Sequence, residues 1–239
     1  VFCGFFLLVT ISFISALSEE ERPAVANGSV LHLKLDVQFS EREQENPFEG
    51  IPILGDEEIN VRLIELKQAI KNAKDDSQIE GIYLDVSYPM TGFATLKEIR
   101  ETLLDFRREG KWVLAYSEVM SEGAYYLASA ADEVYIHPEG EVEFDGLVVE
   151  IGFYKKLFDK LEIKPEVFRV GNFKSAVEPY LYEKMSEDNR LQLSELIGSI
   201  HEELLSDISA TRGISKPELK NIADSQLIRS SQLALDQKL

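Results

Sequence analysis

The chain has 239 residues, with 43 acidic against 25 basic side chains and a formal net charge of −18 at pH 7. Nucleic-acid affinity rests on clustered Lys and Arg, so this balance excludes a phosphate-backbone binder and leaves no polybasic hold on anionic lipid. A hydrophobic share of 44% suits one packed α/β domain, and the single cysteine, Cys3, excludes an internal disulfide and a cysteine zinc site.

Residues 1–17 are almost entirely apolar and uncharged, and the run stops at Ser18-Glu-Glu-Glu-Arg22. A membrane span needs about 20 apolar residues and a secretory signal core about 7–15, and this run falls between the two. It reads as a transmembrane anchor or signal segment truncated at its start, with the uncleaved anchor favoured and the rest of the chain exported. The chain begins on Val1 and stops inside a helical pattern at Leu239, so the expectation is a fragment of a longer protein. Residues 18–28 read as a linker and 29–239 as the folded domain.

From Val30 to Val37 apolar residues alternate, with Leu31, Leu33 and Leu35 on one face, which predicts a strand. Residues 38–56 lack periodicity and read as a loop. From Glu57 the stripe Ile59, Leu63, Leu66, Ile70 and Ala73 predicts an amphipathic helix. Residues 79–86 form an apolar, β-branched run and predict a buried strand. Leu96, Ile99, Leu103 and Phe106 mark a second helix that ends before Gly110. Strands are predicted at 112–116 and at 134–136, the latter ending at Pro138, with a small-residue helix at 123–131 between them. Further strands are expected at 147–153 and 167–170, separated by a helix over 154–161. Ser186 caps a long helix with the stripe Leu193, Ile197, Ile200, Leu204 and Ile208, closing near Gly213, and Ser215-Lys-Pro-Glu218 is a capping box. Strands alternating with helices predict an α/β fold, its largely parallel sheet covered on both faces.

The chemistry-bearing motifs are few. There is no glycine-rich phosphate loop, no Gly-x-Ser-x-Gly elbow and no His-Glu-x-x-His, and His32, His137 and His201 lie far apart without ligand spacing. No cofactor and no metal are expected. One segment stands apart, Val167-Phe-Arg-Val-Gly-Asn-Phe-Lys-Ser-Ala-Val-Glu-Pro179. Here Lys174 follows a strand signal and a glycine turn, among apolar Phe173, Ala176 and Val177. A lysine works as a general base only when neutral, so its reference pKa of about 10.4 must fall, and desolvation is the usual cause. Such a lysine deprotonates a serine in Ser–Lys variants of nucleophilic catalysis. On spacing alone, a solvated surface lysine is the commoner outcome.

The stretch Arg169-Val-Gly-Asn-Phe-Lys-Ser-Ala-Val-Glu-Pro179 resembles the lysine motif of the signal peptide peptidase A (protease IV) family in its long two-domain form. Gly81-Ile-Tyr-Leu-Asp85, Gly110-Lys-Trp-Val-Leu-Ala-Tyr116, Gly123-Ala-Tyr-Tyr-Leu-Ala-Ser-Ala-Ala-Asp132 and Met185-Ser186 are similar to the amino-terminal half of that family in the same order. So are the apolar run and Asn46-Pro-Phe48. The resemblance implies a ClpP/crotonase-like fold of repeated ββα units and a membrane-anchored serine endopeptidase. It also implies an oligomeric bowl of like subunits on the exported, periplasmic side and hydrophobic signal peptides as substrates. It makes Lys174 the general base, with Ser175 or a nearby hydroxyl orienting its amine.

The chain departs from the pattern in two places. Where the family's catalytic domain has its serine before a Gly-Gly-Tyr-Tyr type sequence, this chain has Glu122-Gly-Ala-Tyr-Tyr126. Ser121 stands one residue early, turned about 100° away on a helix. The oxyanion loop is reduced to Ser87-Tyr-Pro-Met-Thr-Gly92. The expectation is therefore that this half supplies the lysine, that a carboxy-terminal domain supplies the serine, and that the fragment alone is inactive. Two alternatives remain open: a non-catalytic crotonase-like scaffold or binding subunit at the membrane, and acyl-CoA chemistry, which would want an intact pair of oxyanion donors.

Overall fold

The structure is a computed structural model that describes residues 25–40 and 60–239. The apolar run and most of the loop expected at 38–56 lie outside the described residues. Among the described residues no helix is long and apolar enough to cross a membrane.

Strand β1 (Ser29–Lys34) is followed by two short strands, β2 (Gln38–Ser40) and β3 (Asn60–Arg62), which pair in parallel as a small separate sheet. The main sheet joins β1 to β4 (Ile79–Asp85), β5 (Trp112–Met120) and β6 (Glu133–Val142), in the order β1-β4-β5-β6 with every pairing parallel. Helices α1 (Leu63–Asp75), α2 (Phe93–Arg107) and α3 (Glu122–Ala128) make the crossovers, as parallel strands require. Their predicted stripes are the ones buried: Leu66, Ile70 and Ala73 on α1, and Leu96, Ile99, Leu103 and Phe106 on α2. With Leu33, Leu35, Ile82, Leu84, Val113 and Ala115 from the strands they form one apolar cluster.

Beyond β6 come α4 (Lys155–Lys160), a 3-10 turn at Ser175–Val177, α5 (Glu178–Leu181), α6 (Glu187–Arg212), α7 (Lys216–Asp224) and α8 (Ser231–Asp236). Helix α6 begins and ends as its sequence predicts. The Ser186 side chain accepts from Asn189 N–H, and Gly213 adopts the left-handed cap at φ 71°. Its carboxy-terminal half is fastened to the core by Arg100 of α2, which is 2% exposed. This guanidinium donates to the Asp207 carbonyl at 2.7 Å and to Thr211 Oγ1 at 2.8 Å, and lies 5.2 Å from the Tyr126 ring. Tyr126 in turn donates to Asp207 Oδ2 at 2.6 Å. Among the α6 stripe residues only Leu204 and Ile208 are buried, so the amino-terminal half of the helix stands away from the cluster.

Several expectations need correction. Gln38–Ser40 is a strand, and α1 starts only at Leu63, because residues 60–62 are taken up by the parallel pairing with β2. Strand β6 runs through Pro138 rather than ending there. It is an edge strand, where a missing N–H leaves no ladder bond unmade. The β5–β6 register slips between Ser117 and Val119, and Gly140 sits so close that a Cβ would meet the Glu118 carbonyl oxygen at 2.2 Å. Segments 147–153 and 167–170 are not strands, because no described neighbour offers them a ladder. Among the described residues the sheet is covered on one face only. On the other, Tyr83, Leu114, Tyr116 and Tyr135 line a groove with His137 and Pro138, and Tyr135 is exposed.

Candidate functional site

Ligands of parallel sheets gather at the carboxyl ends of the strands, and the reduced loop after β4 lies there. Its two leading amides, Ser87 N–H and Tyr88 N–H, both donate to Asp36 Oδ1, at 2.6 and 2.8 Å. Pro89 has no N–H to add. The place where an oxyanion would be cradled is thus filled by a carboxylate of the chain itself, supplied from just beyond β1.

Ser121 is the N-cap of α3. Its Oγ accepts from Ala124 N–H at 3.3 Å and donates to the Ser87 carbonyl at 2.8 Å. The hydroxyl thus joins the end of α3 to the loop after β4. Glu122, the first residue of the helix, is 8% exposed, and its Oε1 is buried with no hydrogen-bond partner among the described residues. Burial, then the charge of Asp145 and more weakly that of Glu143, push its carboxyl up to about 7, against the Gly146 N–H that favours the charged form.

The lysine motif lies on the irregular segment between α4 and α5. Gly171 takes a φ of +91°, which a side chain would oppose. Lys174 precedes the 3-10 turn, is exposed, and its side-chain nitrogen makes no hydrogen bond or ion pair among the described residues. The hydroxyl expected to orient it does not: Ser175 lies within the turn and makes no side-chain hydrogen bond among the described residues. Beside the lysine, Phe168 is 96%, Val170 90% and Phe173 54% exposed. Two residues that sequence reasoning passed over frame the segment. Arg169 donates from Nη1 to the Lys174 carbonyl at 3.2 Å, and Glu178 is buried beneath it. Arg169 and Glu178 stand inside the motif itself, which was the available signal. Asp36 had none, being one carboxylate among 43 acidic residues.

Residues 105–239, from the end of α2 through α3 and the lysine segment, match the profile of peptidase family S49. The chain belongs to peptidase family S49. Among its relatives, Protease 4 of Haemophilus influenzae is 32% identical over 224 residues, covering 92% of this chain and 36% of the relative. Protease 4 of Salmonella typhi is 40% identical over 158 residues, covering 66% of this chain and 26% of the relative. The chloroplastic serine protease SPPA of Arabidopsis thaliana is 29% identical over 197 residues, covering 82% and 28% respectively. The chain thus spans about a third of the length of these S49 relatives, or less.

Proposed function

We propose that this chain is the lysine-bearing part of a membrane-anchored serine endopeptidase of the S49 family, acting on hydrophobic peptides such as cleaved signal peptides. One contrast supports the reading. The chain's own strand-end site is closed by Asp36, Ser121 and Glu122, whereas Lys174, on an apolar-fringed segment, presents a side chain with no partner among the described residues. The fold would be a ClpP/crotonase-like one, the apolar run at 1–17 the anchor, the catalytic side the exported one, and the working form an oligomer of like subunits.

In this mechanism a serine from a second domain attacks the peptide carbonyl, and the oxyanion donors come from that domain. Neutral Lys174 takes the hydroxyl proton as the bond forms and returns it to the leaving amine when the peptide bond breaks. Nothing described in this chain excludes water from Lys174. The surface that brings the serine must therefore also cover the lysine, and Phe168, Val170 and Phe173 offer the apolar area for that closure. The test is Lys174→Ala and Lys174→Arg in the complete protein, assayed on a hydrophobic peptide. Both should lose about 10²–10⁴-fold in kcat, the arginine because it stays protonated. Near-normal turnover by either would remove Lys174 from the mechanism. A non-catalytic scaffold is the second reading, favoured by the closed strand-end site, and a complete protein without peptidase activity would establish it.

A further inference from the structure

We propose that Arg169 and Glu178 are positioning residues that hold the Lys174 backbone against helix α6. This rests on the reading of Lys174 as the general base. The segment carrying Lys174 has little apolar anchorage, since Phe168, Val170 and Phe173 face outward. Burial therefore does not locate it, and polar contacts must.

Those contacts form a continuous strut. Glu178 is 1% exposed. It accepts from Ser186 Oγ at 2.6 Å, Ser186 N–H at 3.2 Å and Asn189 Nδ2 at 3.0 Å, which are groups of the α6 N-cap and first turn. Burial by itself would raise its carboxyl, but these donors together with the Arg169 charge outweigh that and hold it below the usual carboxylate range. Glu178 thus stays ionised and faces Arg169 at 3.8 Å. The guanidinium then spans the segment. Nη1 donates to the Lys174 carbonyl at 3.2 Å, Nη2 donates to Tyr182 Oη at 2.6 Å, and the group lies 5.6 Å from the Tyr182 ring. The planar fork offers these two bonds from two nitrogens in a fixed geometry, whereas an ammonium would have to make both from a single nitrogen. The path runs from a 26-residue helix, through a buried anion and a cation, to the peptide unit of the reacting residue. A general base displaced by about 1 Å can lose about 10²-fold in rate, so a fixed backbone matters here more than its share of stability.

The test uses the complete protein with Arg169→Met, Arg169→Lys and Lys174→Ala. It measures kcat and KM on a hydrophobic peptide together with thermal melting. Arg169→Met should lower kcat about 10–100-fold while KM and melting temperature change little, and Arg169→Lys, which keeps the charge but not the two-nitrogen fork, should fall between it and the wild type. Wild-type kcat in Arg169→Met, alongside an inactive Lys174→Ala, overturns the strut and leaves the general base standing. So does a kcat loss that follows the melting loss and that lysine does not relieve. Should Arg169→Met fail to fold, Arg169→Lys decides: reduced kcat at constant KM supports the strut, and wild-type kcat overturns it. Activity retained by Lys174→Ala overturns the general base and the strut together.

Discussion

Glu122 is a carboxyl group held where its charge is disfavoured, and the consequence is a pH dependence of known sign. Its pKa is raised from 4.5 to about 7 in the folded chain. The folded state therefore holds a proton that the unfolded state releases first, so the stabilising contribution is present below 4.5 and is lost as pH climbs through about 7. Glu143, raised by burial and by Asp145, adds to the same trend. A shift of this size corresponds to something on the order of 3 kcal/mol. Glu122→Gln keeps a carbonyl for the Gly146 N–H and has no proton to lose. Urea unfolding of this variant should show a flatter decline between pH 5 and 8, and greater stability than the wild type at the alkaline end. An unchanged slope would mean that Glu122 ionises freely. At this scale the sequence was partly legible. Ser121 stands at a helix start in the sequence, whereas the lysine motif was singled out by family resemblance and not by spacing. The burial of Glu122 could not, because it depends on Phe144, Asp145 and Gly146 returning past α3 after an intervening strand.

Elements were read well where their stabilisation is local. Helix α6 begins at the Ser186 cap and ends at left-handed Gly213, α7 begins at the Ser215 cap, and apolar spacing of 3 and 4 selects the buried face of α2. Strands are different, since their hydrogen bonds lie on another piece of chain. Segments 147–153 and 167–170 carry strand-like sequence but meet no described partner, and several of their apolar side chains are exposed: Val148 is 89% exposed and Val170 90%. Side chains this exposed contribute little to the folding of the described domain. The double variant Phe168→Ser/Val170→Ser should thus change the unfolding free energy of this chain by no more than about 0.5 kcal/mol. In the complete protein the same pair should lower peptidase activity at least several-fold, because it removes the apolar cover proposed for Lys174. A large loss of stability in the isolated chain, or full activity in the complete protein, would contradict this account.

The whole molecule carries a net charge of −18, and many of its ion pairs, such as Lys67–Glu98, Lys97–Glu203 and Lys216–Glu202, lie on the surface. Exposed pairs contribute about 0–1 kcal/mol each and are screened by salt, but so is the mutual repulsion of the excess carboxylates. Repulsion should dominate. Raising sodium chloride from about 0.1 M to about 1 M shortens the screening length from about 10 Å to about 3 Å, and the urea midpoint should rise. A fall would show that the local pairs outweigh the long-range field. By itself the sequence determined what depends on neighbours along the chain: the helix caps, the apolar stripes and the alternation of strands and helices that makes the sheet parallel. Only the tertiary structure decided which amides Asp36 occupies, that Ser121 serves a helix end, that the described residues leave one sheet face open, and that Glu178 and Arg169 join Lys174 to α6. Each of these joins groups from separate elements or loops, or depends on what covers a surface. Such proximity is settled by how elements pack and where the chain returns, which composition and periodicity do not encode.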